Sequence, residues 1–322
     1  MAEVREFAIV GLGRMGSNLS LQALSNGYRV AGYDRRGVSE DLRGAGLTAL
    51  PKLEGLRGAL SSPRVVFLYI PAGPAVDEVL ETLEGILEPG DIVLDGGNSY
   101  WGDSIRRHER LASLGLRFID LGTSGGVEGA REGACFMVGG DRDAVEKVAP
   151  MLLDLAEPGG YVFAGRPGSG HFVKLVHNGI LYGMLESIGE GVALLSKFPE
   201  GLDIAGILSC WENGSVIRSF LIEVLRKQYR DMGGDEDVPS YVEDTGEVNW
   251  LIGDALHMEV PVPVIAESVM QLFVARDREE HWARAIAMMR HGFGGHPLGP
   301  DEHVAGEREH GKVGSYVEVG GH

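Results

Sequence analysis

Residues 7–16, Phe-Ala-Ile-Val-Gly-Leu-Gly-Arg-Met-Gly, form an apolar strand run that passes directly into G-x-G-x-x-G and then into helix-type spacing. Gly11, Gly13 and Gly16 permit a tight turn and a close approach of backbone to a pyrophosphate, which the positive end of the following helix then holds. A glycine fingerprint alone says little. This one has the strand before it and the helix after it, and Asp34 stands 18 residues beyond Gly16, at the end of the next strand run. A carboxylate there bonds the ribose hydroxyls and repels a 2′-phosphate, which favours NAD over NADP. Arg35 and Arg36 pull the other way, because adjacent guanidinium groups can bind that phosphate. The dinucleotide-binding set is thus Gly11, Leu12, Gly13, Arg14, Met15, Gly16, Asp34 and Arg35.

Further strand runs fall at 6–10, 29–33, 65–70, 91–94 and 117–121, with helical spacing between them, as at 15–25 and 75–86. Strand and helix in alternation imply an α/β doubly wound, mostly parallel Rossmann sheet. A less regular part follows, with strands at 134–138 and 161–163 around a helix at 141–155. Beyond about residue 166 only helical patterns remain, at 172–197, 203–212, 217–228, 248–257, 262–275 and 280–291. The expected organisation is a dinucleotide-binding domain over 1–167, an all-helical substrate and oligomerisation domain over 168–298, and a polar tail over 299–322. That tail, rich in Gly, His and charge, reads as flexible or as ordered by a partner subunit.

A chain of 322 residues, 44% hydrophobic and 24% charged, can build two cores. Cys135 and Cys210 lack metal-type spacing, so neither a disulfide scaffold nor zinc is indicated. A formal charge of −18 argues against nucleic acid or an anionic membrane as partner. With no run of 18 apolar residues and no leader-like start, the expected location is a bacterial-style cytosol.

Residues 168–183, Gly-Ser-Gly-His-Phe-Val-Lys-Leu-Val-His-Asn-Gly-Ile-Leu-Tyr-Gly, have the apolar content of a buried helix yet carry Lys174, His177, Asn178 and Tyr182. At 3.6 residues per turn, positions 174, 177, 178 and 181 share one face. An unpaired ammonium in a low-dielectric site is costly, so Lys174 either lines a cleft as an acid/base or anion-holding group, or snorkels to the surface beside a satisfied core histidine.

Three further motifs join it: Asp95-Gly96-Gly97-Asn98-Ser99, Ser124-Gly125-Gly126-Val127-Glu128-Gly129-Ala130, and Arg290-His291-Gly292-Phe293-Gly294-Gly295-His296. Together they resemble the 6-phosphogluconate dehydrogenase family, in its short bacterial branch, within the wider β-hydroxyacid dehydrogenases, nearly end to end. The resemblance implies Lys174 as the general base on a C3 hydroxyl while hydride leaves for the nicotinamide. It implies that the same lysine assists decarboxylation, with His177 and Asn178 in the catalytic group. Asn98, Ser124, Gly125, Gly126 and Tyr182 become expected contacts to substrate or nicotinamide, and Pro71-Ala72-Gly73 a loop beside the nucleotide. Arg290 and His296 become ligands reaching in from a neighbouring subunit, so a homodimer or homotetramer is expected.

The chain departs from that pattern on the substrate side. Leu181 stands where the family has the glutamate that protonates the enediol, and leucine donates no proton. Asn249 stands where a basic residue precedes Trp250. By ungapped counting a phosphate-binding arginine falls on Phe273, with Arg276 or Arg278 within a short register slip. Glu186, or a water held by His177, could replace the missing acid, although neither fits simple helix geometry. Three readings stay open: an NAD-dependent decarboxylating dehydrogenase of a phosphorylated sugar acid, the same hydride chemistry on another hydroxy acid or phosphorylated carbonyl compound, and a catalytically silent NAD-binding protein.

Overall fold

Consecutive side chains of a strand covered on both faces must all be apolar. Phe7 and Ile9 of β1 (Glu6–Val10) enter one core and Ala8 and Val10 the other, and all four are buried. The computed structural model describes residues 5–301. β1 is followed by β2 (Arg29–Tyr33), β3 (Thr48–Ala49), β4 (Val65–Leu68), β5 (Ile92–Asp95), β6 (Arg117–Ser124), β7 (Ala134–Gly140) and β8 (Ala156–Gly165). They form a single sheet in the order β3-β2-β1-β4-β5-β6-β7-β8, parallel throughout except between β6 and β7.

The intervening helices are α1 (Arg14–Ser25), α2 (Glu40–Gly44), α3 (Leu56–Ala59), α4 (Pro74–Glu84), α5 (Trp101–Ala112), α6 (Gly126–Glu132) and α7 (Arg142–Leu155). After β8 the described chain is helical: α8 (Ser169–Ser196), α9 (Ile204–Glu212), α10 (Phe220–Met232), α11 (Glu247–His257), α12 (Pro263–Arg276) and α13 (His281–Gly294). The fold is the expected one, a Rossmann-type sheet followed by a helical domain. The sheet differs most from the sequence ranges around β7, which itself reaches Gly140: β6 runs on to Ser124 and β8 spans ten residues, because both pair with it. The two-residue β3 is too short for a periodicity signal. By packing, the described chain falls into two units, one reaching Val238 with Asp244–Gln271 added, the other Pro239–Glu243 with the residues from Leu272 onward. Of the tail 299–322, only 299–301 belong to the described residues, and the expectation for the rest lies outside them.

The strand order reverses between β1 and β4, and the crevice beyond their carboxyl ends is where such sheets take ligands. What places α8 against this crevice is a buried carboxylate. Asp120 of β6 is fully buried and accepts hydrogen bonds from the Gly168 N–H (2.8 Å) and the His171 N–H (3.0 Å), at the positive end of α8. His171 then donates to or accepts from Ser104 of α5 through Nδ1 (2.7 Å) and meets the Asp95 carbonyl through Nε2 (2.9 Å). The contact is close enough to need glycine. A Cβ on Gly170 would stand 2.4 Å from the Asp120 carbonyl oxygen, and one on Gly122 would stand 2.6 Å from Cβ of Lys174.

A second buried charge ties the loops after β4 and β5 together. Arg107 of α5 is fully buried and pairs bidentately with Asp77 of α4 (3.0 and 3.1 Å), while donating to the Gly73 carbonyl (3.0 Å) and Ser99 (3.3 Å). The guanidinium holds the Asp77 carboxyl at about 2. Arg106 adds to the effect from the solvent side (3.2 Å), and the stabilisation from these pairings is fully present above about pH 4 and lost as pH falls through the folded-state pKa.

The sequence reading of α8 as a buried helix needs correction. Only one face is covered, whereas Val173, Ile180, Met184, Leu185 and Leu194 are exposed on the described chain. Substituting Asp120→Ala strands two buried N–H groups and removes the carboxylate from the helix terminus. A loss of about 3 kcal/mol or more is expected in chemical denaturation, against under 0.5 kcal/mol for an exposed control such as Glu190→Gln.

Candidate functional site

Two adjoining clefts lie over the carboxyl ends of the strands, both within the larger unit. The first, about 540 Å³, is lined from one side by Gly13, Arg14 and Met15 at the start of α1, by Tyr69, Ile70 and Pro71 after β4, and by Gly96, Gly97 and Asn98 after β5. Its other wall consists of Thr123, Ser124 and Gly126, then Lys174, His177, Asn178, Leu181 and Tyr182 of α8, with Glu247 at the start of α11. The second, about 610 Å³, shares Gly13, Tyr69, Ile70 and Pro71 and adds Gly11, Asp34, Arg35 and Arg36. A chain of polar positions thus runs from an adenosine-sized cleft to the α8 wall.

The donor set fits a dinucleotide. No side chain caps the start of α1, leaving its first-turn N–H groups available, and there is open space for 4 Å around the place where a Cβ on Gly13 would stand. Gly16 lies against the Gly11 carbonyl below the turn, and Leu12 donates its N–H to Asp34 Oδ2 (2.9 Å), so neither lines a cleft. Ala72 lines neither as well, and Gly125 sits between two lining neighbours. Burial pushes the Asp34 carboxyl up, but the Arg36 and Leu12 N–H groups and the Arg36 guanidinium outweigh it and leave it below the usual range. Arg36 is therefore turned onto Asp34 (N–H to Oδ1, 2.8 Å; Nε, 3.4 Å).

On the α8 wall, Lys174 is only 9% exposed. It makes no salt bridge among the described residues, and burial lowers its amine to about 8, with Cys135 and Glu247 pulling weakly the other way. Burial also lowers the His177 pKa, with the charge of Lys174 adding to the effect. His177 bridges Ser124 Oγ (Nε2, 3.1 Å) and Asn178 Oδ1 (Nδ1, 3.1 Å), and Asn178 Nδ2 donates to Glu247 Oε1 (3.1 Å). An amine lowered to about 8 beside an imidazole also shifted down is an arrangement suited to accepting a proton from a hydroxyl.

Leu181 lines this cleft and Glu186 does not. The carboxylate that the cleft does contain is Glu247, which sequence reading passed over while weighing Asn249 two positions on. Its only signal was a glutamate directly after Thr-Gly at a helix start. Asn249 itself borders a separate groove with Tyr100, Trp101, Trp250 and Asp254. Tyr69, which lines both clefts and bonds Thr123 (3.1 Å), was also missed. Arg290 and His296 belong to the smaller unit, where Arg290 is exposed on α13. There too, the Arg276 guanidinium lies 5.5 Å from the ring of Phe273, and Arg278 lies 5.9 Å from that of Tyr241.

Comparison with known proteins adds the family context. Residues 6–165 match the NAD binding domain of 6-phosphogluconate dehydrogenase, and residues 170–299 match the C-terminal domain of the same enzyme. YqeC of Bacillus subtilis, provisionally named a 6-phosphogluconate dehydrogenase, is 37% identical over 292 residues, 90% of this chain and 98% of that one. The NAD(+)-dependent, decarboxylating 6-phosphogluconate dehydrogenase of Haloferax volcanii is 36% identical over 296 residues, 91% of this chain and 98% of its own. Among solved structures, Plasmodium falciparum 6-phosphogluconate dehydrogenase, determined in its apo form and in complexes with NADP+ and with 6-phosphogluconate, superposes with a TM-score of 0.75. Sequence identity there is 26%, covering 92% of this chain and 66% of that one.

Asp34→Ser removes the acceptor that both Leu12 and Arg36 engage and releases the Arg36 guanidinium. Titration calorimetry is expected to show NAD affinity falling about tenfold with NADP affinity rising, and an unchanged NAD/NADP ratio would contradict the assigned place of Asp34.

Proposed function

The chain belongs to the 6-phosphogluconate dehydrogenase family, and we propose that it is an NAD-dependent dehydrogenase that oxidises the 3-hydroxyl of a phosphorylated sugar acid, with loss of the carboxyl as CO2. The observation that carries this reading is Lys174, a buried amine brought to about 8 in a cleft shared by Asn98, Ser124, His177 and Asn178. Bound nicotinamide nucleotide supplies the hydride acceptor. Lys174 takes the hydroxyl proton as hydride departs, and the same ammonium then stabilises the carbonyl oxygen while the resulting 3-keto acid releases its carboxyl. Asn98, Ser124, Gly126 and Tyr182 are assigned to holding the substrate or nicotinamide, and Gly11, Gly13, Arg14, Met15, Asp34, Arg35 and Pro71 to the nucleotide. Asp34, with Arg36 turned onto it, supports NAD rather than NADP. Arg290 and His296 are assigned to the substrate of a neighbouring subunit in a homo-oligomer.

One observation favours a second reading, the same hydride transfer on a different hydroxy acid: Leu181 faces the cleft at the position of the family's proton donor. General acid catalysis is worth roughly 10²–10⁴-fold, or about 3–5 kcal/mol of barrier. The deciding assay follows NADH and CO2 from purified protein, NAD and 6-phosphogluconate. Both products at ordinary rates support the first reading. NADH without CO2, or turnover only of another hydroxy acid, moves the assignment to the second, and tight NAD binding with no NADH from any hydroxy acid would sink both.

Lys174 acts as a base only when unprotonated, so the rate is expected to rise with pH through about 8 and then level. Lys174→Met is expected to abolish hydride transfer, a fall of at least about 10³-fold, while calorimetric NAD affinity changes less than about threefold; equal loss of both would refute the role.

Leu181→Glu tests the missing acid from the other side. If the cleft is shaped for 6-phosphogluconate, turnover of that substrate rises about tenfold or more, whereas no gain would assign the cleft to a different acid.

A further inference from the structure

Glu247 is 6% exposed, stands at the first position of α11, and has both carboxylate oxygens engaged. One accepts from the Thr245 hydroxyl and the other from Asn178 Nδ2 at 3.1 Å. A carboxylate can only accept, so it dictates which way the Asn178 amide points: NH2 toward Glu247, carbonyl oxygen toward His177. That carbonyl oxygen also only accepts, so the His177 Nδ1 that meets it at 3.1 Å must carry the imidazole proton. The proton of a neutral imidazole sits on one nitrogen alone. Nε2 is then bare, facing Ser124 Oγ at 3.1 Å on the cleft wall, with Lys174 one turn back along α8.

We infer that Glu247 is a positioning residue that acts through the Asn178 amide to lock His177 in its Nδ1–H tautomer, making Nε2 a hydrogen-bond and proton acceptor directed into the cleft. The first residue of α11 thereby sets the chemistry of a side chain on α8 that it does not touch. The device provides what a leucine at position 181 cannot, a second group in the cleft able to take up a proton and return it: Nε2 accepts a proton to give the imidazolium, stabilised through the amide by the Glu247 charge, and releases the same proton later with no net change. Burial and the charge of Lys174 keep the imidazole neutral at rest, which leaves Nε2 available. The kinetic consequence rests on the functional reading above; the tautomer does not.

The test is ¹⁵N NMR of the full chain labelled at histidine, at about pH 9, above the ordinary imidazole range, with the His177 signal assigned by its absence in His177→Gln. The wild type is expected to show a protonated Nδ1 and an unprotonated Nε2. In Glu247→Gln the new amide can donate to Asn178, the Asn178 amide is free to reverse, and a signal for protonated Nε2 is expected to appear. The double variant Glu247→Gln with Asn178→Asp restores an obligate acceptor facing Nδ1, and the wild-type tautomer should return. Wild type protonated at Nε2, or Glu247→Gln retaining a pure Nδ1–H form, overturns the proposal. In turnover, Glu247→Gln is expected to lower kcat about tenfold or more with NAD affinity and KM changed less than about threefold. The spectrum decides the tautomer whether or not a sugar acid is turned over, so absence of wild-type turnover would remove the functional reading alone.

Discussion

Everything on the catalytic side of this protein is referenced to one carboxylate, that of Asp120, which lies at the meeting point of the sheet and α8. An acidic side chain at the middle of a buried strand would normally be among the costliest residues in the domain. Here it is satisfied by two N–H groups at the positive end of a 28-residue helix, so its desolvation is offset by charge-assisted bonds and the helix dipole. The same contact fixes the origin of α8, and with it the position of each later residue on the helix at 1.5 Å of rise and 100° of turn apiece. Lys174, His177 and Asn178 reach the cleft because they lie within the first three turns from that origin. Arg107 does the equivalent for the opposite wall by holding the loops after β4 and β5 with one guanidinium.

The electrostatics of the cleft follow from what is absent as much as from what is present. Lys174 has been desolvated without a salt-bridge partner among the described residues, which moves its amine toward neutrality. Were Glu247 turned onto the lysine, the ion pair would hold it charged and unsuited to accept a proton. Instead, Thr245 and Asn178 occupy both oxygens of Glu247. The acidic and basic groups of one cleft are thereby kept from neutralising each other.

The nucleotide half was legible in the sequence because its signals are local. The run into Gly11, Gly13 and Gly16 lies within one strand, turn and helix, and Asp34 follows at the end of the very next strand. The alternation of strand and helix likewise disclosed the doubly wound sheet. The shared face of 174, 177, 178 and 181 was equally readable from helical period, and all four do line one cleft. What escaped was long-range. Nothing near Glu247 in the chain announces that it meets Asn178, 69 positions away, and Arg107 reads as one more charge on an exposed-looking helix until Asp77 and Gly73 are placed around it. The apolar outer face of α8 misled for a related reason: hydrophobicity reports that a surface is to be covered, and says nothing of what covers it.

The tightness of the α8 contact with β6 has an evolutionary corollary. Where Gly170 and Gly122 let backbone and Lys174 press against the sheet, no side chain can be enlarged and the helix cannot shift without losing the Asp120 bonds. Two turns further on, Leu181 is only half-buried and has no part in that anchorage. The helix is therefore fixed at its root, and among the cleft-lining positions beyond it Leu181 stands between two buried glycines, Gly179 and Gly183, without being tied to that anchorage. A lineage could exchange the residue at 181 repeatedly while the packing of the root against the sheet stayed untouched.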